Sequence, residues 1–274
     1  GKHSLYNIAM VVLEKGDEAI LPVPYWVSYE EMIKLAEAKP VFCKTDEKFK
    51  LTAEMVKERI TSKTKMLILN SPSNPTGAII EPLEIKKIAE FAVKHNFYVV
   101  SDEVYEHFIY GNVKYLSIAS LNDEIKKLTI TMNSVSKTYA MTGWRIGYCG
   151  ADKEIIQAME NLQSHSTSNP SNIAQMAALE ALNGSQDSVK EMVRAFDDRR
   201  KFIHKRLNEI DGILCIEPEG AFYAFPDISR IGMGSMEFSS RLLDEALVAV
   251  VAGIAFGSDR HIRLSYVASI HDIG

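Results

Sequence analysis

Apolar residues fall into two patterns along this chain, short continuous runs and longer polar segments in which apolar positions return every third or fourth residue. The continuous runs at 19–21, 41–43, 66–69, 98–100, 128–131 and 146–149 read as buried strands. Helical patterns, clearest over 54–60 and 82–95, separate them. Strand and helix in alternation predict an α/β domain whose ligands gather at the carboxyl ends of the strands. Beyond that region the order changes to a long helical pattern over 188–210, the run 220–225, a helix near 236–246, a short strand at 248–251 and an alternating strand at 261–266. Helices and strands segregated in this way predict a smaller α+β domain. The expected division is a large domain over 1–165 and a small one over 166–274, which includes the connecting helix.

Composition narrows the class. With 274 residues, 46% of them hydrophobic, the chain can bury a large core. A formal net charge of -5 and no basic cluster argue against a nucleic-acid surface. Cys43, Cys149 and Cys215 are far apart and form no Cys-x-x-Cys pair, so neither a disulfide framework nor a metal site is expected, and a reducing cytoplasm is the default location. No His-x-x-x-His pair occurs, and His95, His107 and His204 read as structural or solvated. No apolar stretch is long enough to serve as a membrane span or a secretory signal. Gly232-Met233-Gly234 lacks the third glycine and preceding strand of a dinucleotide fingerprint.

The most informative segment is Ser134-Val135-Ser136-Lys137, with Arg145 eight residues after the lysine. It offers an amine for a Schiff base and donors for a phosphate dianion, which is what holding pyridoxal phosphate requires. After the run at 66–69 comes Asn70-Ser71-Pro72-Ser73-Asn74-Pro75-Thr76-Gly77, a rigid turn that puts an amide beyond a strand's end. Asp102 and Tyr105 follow the run at 98–100 at a spacing that sets them on one side of the next turn. Arg263 alternates with apolar neighbours in His261-Ile262-Arg263-Leu264-Ser265, and arginine is shaped to hold a carboxylate in two parallel hydrogen bonds. Each residue also has an ordinary structural reading: Asp102 as the cap of a helix beginning near Glu103, Trp26 as core, Asn74 to Gly77 as turn chemistry, and Arg145 and Arg263 as surface ion pairs. Their conjunction in one order favours a ligand site.

Assembled, these residues resemble the fold-type I pyridoxal-phosphate enzymes, and within them the class I/II aminotransferases of the aspartate aminotransferase type, over essentially 1–269. The resemblance implies a mostly parallel central sheet flanked by helices, and a homodimer. It implies that Lys137 carries the cofactor as an aldimine and serves as the base, that Asp102 pairs with the pyridine nitrogen, and that Tyr105 and Asn74 bond the phenolic oxygen. Trp26, in Pro24-Tyr25-Trp26, would stack on the ring, and Ser134, Ser136, Arg145 and the helix start at Gly1 and Lys2 would hold the phosphate. Arg263 would bind the substrate's α-carboxylate, with Trp26 and Asn74 beside the substrate. The implied reaction moves an amino group from an amino acid to a 2-oxo acid, with aspartate as the default donor and aromatic amino acids, alanine and prephenate close behind. Two rivals remain at this stage: β-elimination or another reaction on the same aldimine, and a non-catalytic pyridoxal-phosphate-binding regulatory domain.

The chain also departs from the family pattern. It is expected to lack the family's N-terminal region, with the tyrosine that reaches a partner's phosphate, and the final helix. Ala252 stands where the family usually has proline, and the segment 257–261 before the arginine strand is short.

Overall fold

Six strands, β1 (Glu18–Val23), β2 (Lys39–Lys44), β3 (Thr64–Asn70), β4 (Tyr98–Asp102), β5 (Thr129–Ser134) and β6 (Gly147–Gly150), pair in the order β2-β1-β3-β4-β5-β6 in the computed structural model, which describes residues 1–274. The first five are parallel and β6 runs antiparallel to β5. Parallel strands need crossover connections, which put helices on both faces. Side chains alternate along each strand, so each continuous apolar run splits between two layers. Leu21, Met66, Ile68, Val100 and Ile130 pack with Ile8 of helix Lys2–Val12 and with Tyr29 and Ile33 of helix Ser28–Leu35. Ile20, Leu67, Leu69 and Val99 face the other way, onto Ile85 and Ile88 of helix Pro82–His95.

That last helix has the bounds its pattern predicts, because proline begins it and Asn96, in a left-handed conformation, ends it. Other boundaries move. The pattern at 54–60 yields only Ala53–Lys57. Leu128 closes helix Asp123–Leu128 rather than opening β5, and Ile146 precedes β6. Helices Ser28–Leu35, Lys153–Ser164 and Asn172–Asn183 add to the predicted set.

The second sheet is built from β7 (Tyr223–Ala224), β8 (Val251–Ala252) and β9 (Ile262–Ser265), in the antiparallel order β7-β9-β8. The strand expected at 248–251 is therefore reduced to its end. Helix Ser235–Ala246 stops in a left-handed turn at Leu247, and Val248 is exposed with no partner strand beside it. Helix Asp187–Asn208 lies against this sheet through Phe196, Ile203 and Leu207. An aromatic cluster then joins the two sheets, with Phe108 beyond β4 packed at 5.4 Å from Phe222 and 5.7 Å from Phe196, ring centre to ring centre.

Phe108 is fully buried at that junction, so Phe108→Ala is expected to cost about 3–5 kcal/mol in urea unfolding. Leu83→Ala, on an exposed helix position, should stay within about 0.5 kcal/mol. Equal midpoints for the two variants would contradict the junction's role.

Candidate active site

Parallel register decides what meets at the strand ends. Asn70 pairs across to Asp102, and Asp102 to Met132, two residues before Ser134. Asn70 fastens this edge, its side-chain nitrogen donating to the Asp102 carbonyl at 3.1 Å while its oxygen accepts from the Asn74 amide at 2.8 Å. Ser134 ends β5 and caps the turn that carries Lys137, its hydroxyl accepting from the Ser136 amide at 3.0 Å and lying 2.7 Å from the Ser136 hydroxyl. The start of helix Lys2–Val12 abuts the same place. A Cβ on Gly147 would lie 2.0 Å from the nitrogen of Gly1, so only glycine permits that approach.

These ends enclose a cleft of about 320 Å³. All eleven residues singled out from the sequence line it: Gly1, Lys2, Trp26, Asn74, Asp102 and Tyr105 on one side of the chain order, and Ser134, Ser136, Lys137, Arg145 and Arg263 on the other. Arg263 comes from β9 of the second sheet and donates to the Asn74 side-chain oxygen at 2.8 Å, across 189 positions of sequence. Trp26 is half-buried, with Lys2 Nζ 5.0 Å above its ring. Arg145 is exposed at the rim and donates to the Thr142 carbonyl at 2.8 Å.

Charge in the cleft is one-sided. Asp102 is the only carboxylate lining it, against Lys2, Lys137, Arg145 and Arg263. Burial, and then the Arg263 and Arg145 guanidiniums, lower the pKa of the Lys137 amine, which favours its neutral, nucleophilic form. Burial pushes Asp102 up to about 6, although the Tyr29 hydroxyl, which donates to it at 2.5 Å, and the Val104 amide oppose the rise. The capping reading of Asp102 therefore holds only for a turn, and its other oxygen meets Tyr29. Arg263 stacks at 4.5 Å over the Tyr223 ring and 4.9 Å over Phe256, yet its buried Nε has no partner. A buried guanidinium donor left open in this way fits an anionic ligand.

Seven lining residues escaped the sequence reading, among them Tyr29, Asn70 and Tyr223. Tyr29 lies three positions after Trp26, a helical spacing that would have pointed to it. Asn70 opens the same turn as Asn74. Tyr223 gives no signal within the apolar run 220–225, and only the fold reveals its hydroxyl 2.9 Å from that of Tyr105. No helix is long and apolar enough to cross a membrane.

The sequence profile described as "Aminotransferase class I and II" matches residues 1–272. The chain is 48% identical over 277 residues to "Aspartate aminotransferase" of Bacillus sp. (strain YM-2), covering 98% of this chain and 71% of the relative. It is 47% identical over 276 residues to "Probable aspartate/prephenate aminotransferase" of Aquifex aeolicus, covering 98% of this chain and 70% of the relative. The crystal structure of an aromatic aminotransferase from Pyrococcus horikoshii superposes with a TM-score of 0.95 at 42% identity, covering all of this chain and 74% of that one.

The buried carboxyl sets a pH dependence for the protein without ligand. Its folded pKa of about 6 lies above the ordinary 3.8, so the folded state binds the extra proton between those values. The stability it contributes is full below pH 3.8 and is lost as pH rises through about 6, on the order of 2–3 kcal/mol. Asp102→Asn should flatten that part of a chemical-unfolding profile. Tyr29→Phe removes a donor to the carboxylate and should move the upper limit of the window to higher pH. An unchanged profile in Asp102→Asn would show that another group carries the dependence.

Proposed function

The chain belongs to the class I and II aminotransferases, of fold type I, and from that premise we propose that it moves an amino group from an amino acid to a 2-oxo acid with pyridoxal 5'-phosphate held around Lys137. The observation that carries this reading is the meeting of Lys137, Asp102 and Arg263 in one cleft, the amine depressed in pKa, the acid alone and the guanidinium open. Pyridoxal phosphate, when bound, supplies a protonated ring that accepts the charge left on the substrate's α-carbon as its proton departs.

The chain's residues divide the remaining work. Lys137 Nζ is the covalent anchor and, once free, the base that takes and returns the α-proton; its lowered pKa supports both tasks. Asp102 holds the proton on the pyridine nitrogen, and a cation there relieves the carboxylate's burial. Ser134, Ser136, Arg145 and the backbone at Gly1 and Lys2 supply phosphate donors at a rim with no competing acid. Asn74 gives its side-chain oxygen to Arg263, which leaves its amide hydrogens, together with the Tyr105 hydroxyl, for the phenolic oxygen. Trp26 covers the ring and borders the substrate. Arg263 takes the α-carboxylate in two parallel bonds, which would satisfy its open Nε.

Aspartate with 2-oxoglutarate is the pair we favour, with prephenate and aromatic substrates next, since relatives carry those names. We also propose a homodimer in the cytoplasm and a division into domains at 1–165 and 166–274.

Mixing the cofactor-loaded protein with a panel of amino acids should convert bound pyridoxal phosphate to its amino form without release of ammonia; ammonia and pyruvate would instead indicate elimination. Borohydride reduction and peptide mapping should place the label on Lys137. Lys137→Ala should lose most turnover and keep noncovalent cofactor binding, whereas labelling of Lys153 would refute the assignment. Arg263→Lys keeps the charge and loses the two-pronged geometry, so apparent substrate affinity should fall about tenfold, equivalent to ~1.5 kcal/mol, with cofactor affinity nearly unchanged.

A further inference from the structure

We propose that Tyr223 is a positioning residue of this cleft: its hydroxyl donates to Tyr105, turning the Tyr105 proton toward the bound group, while its ring is the surface on which Arg263 rests. The inference rests on the cofactor reading above and extends it to a residue that the sequence motifs do not mark.

The two hydroxyls lie 2.9 Å apart, both residues are buried, at 3% and 6% exposure, and neither phenol has another hydrogen-bond partner in the protein. Each phenol has one proton and can accept. One proton fills the shared bond, and exactly one remains to face the cleft that both residues line. Which one remains depends on which phenol is the better donor. The Arg263 guanidinium lies 4.5 Å from the centre of the Tyr223 ring, and a cation over a ring face draws electron density from it. Tyr105 has the Asp102 carboxylate as a neighbour, which makes its oxygen the better acceptor. Burial raises the pKa of both phenols and Arg263 opposes the rise at both, but Tyr223 and Asp102 add to it at Tyr105 alone, which is carried well above its ordinary value. Tyr223 therefore donates, and the Tyr105 hydrogen is the one left over. A hydroxyl that accepts one bond also donates the next more strongly, because the bonds polarise each other.

Strand register fixes the arrangement. Tyr223 on β7 stands opposite Ser265 on β9, which puts it diagonal to Arg263 two residues earlier on that strand. One side chain thus touches both the residue facing the phenolic oxygen and the residue facing the carboxylate, and its two functions reside in different atoms.

Two substitutions separate those functions, each compared with wild type as cofactor-loaded protein. Tyr223→Phe keeps the ring and loses the hydroxyl. A weaker Tyr105 donor leaves more negative charge on the phenolic oxygen, which holds the proton on the adjacent Lys137 nitrogen more tightly. The pH midpoint of the bound cofactor's visible absorbance should rise by about 0.3 or more. Its affinity for succinate, a non-reacting carboxylate, should stay within about twofold, because the surface under Arg263 remains. Tyr223→Leu removes the ring as well and should weaken succinate about fivefold. An unmoved midpoint in Tyr223→Phe, or equal loss of succinate affinity in both variants, overturns the proposal. If Tyr223→Leu does not fold, the midpoint in Tyr223→Phe still decides. A wild type without a pH-dependent cofactor band overturns the cofactor reading as well, whereas a normal wild type with a silent Tyr223→Phe overturns this inference alone.

Discussion

Parallel pairing in a fixed register is the constraint on which the rest of the molecule depends. Neighbouring strands lie about 4.8 Å apart, so residues at matching positions on β3, β4 and β5 form a row whose spacing no loop can alter. Asn70, Asp102 and Met132 form that row, and the turns that follow carry Asn74, Tyr105 and Lys137. A one-residue slip in any of the three strands would send the alternate side chains to the wrong layer and take the polar ends out of line. The apolar interiors of the strands therefore fix the position of the polar residues that end them.

The cleft itself works against stability. Asp102 is buried at a cost that the Tyr29 hydroxyl and the Val104 amide only partly offset, Lys137 is held among like charges, and Arg263 keeps a buried donor open. Each cost is relieved by a charge of opposite sign arriving from outside, which is how a site preorganised for a ligand differs from a structural ion-pair network. The two apolar layers of the large sheet supply the stability that sustains it.

The strands were legible because residues buried on both faces read as unbroken apolar runs, and helix Pro82–His95 because its caps are written in proline and asparagine. The site was legible where a residue type is chemically unusual for its place: a lysine between hydroxyls, an acid after a buried strand, an arginine among apolar neighbours. Less was visible where the context carries the meaning. Tyr223 differs from its aromatic neighbours only through the strand opposite. Helix Asn172–Asn183 escaped detection because apolar residues occupy both of its faces, with Ala174 and Ala178 buried and Ile173, Met176, Leu179 and Leu182 exposed, so that no single stripe stands out.

The bond between Asn74 and Arg263 joins the two sheets, and it needs its own support. The turn that carries Asn74 is tied to the segment entering β7, since the Glu219 and Gly220 amides both donate to the Gly77 carbonyl, at 3.0 and 2.8 Å. The Glu219 carboxylate accepts from the Ile79 amide at 3.0 Å and pairs with Lys50, which also donates to the Ile79 carbonyl at 3.0 Å. Gly77 has a φ of +71°, and a Cβ there would lie 2.7 Å from the Gly220 carbonyl oxygen, so the contact admits no other residue without displacement. This tie sets the distance between the strand-end turn and β7, and thereby the place where Arg263 meets Asn74. The Arg263 end of the cleft is thus positioned by a junction outside it, whereas the Lys137 end is positioned by the register of the large sheet.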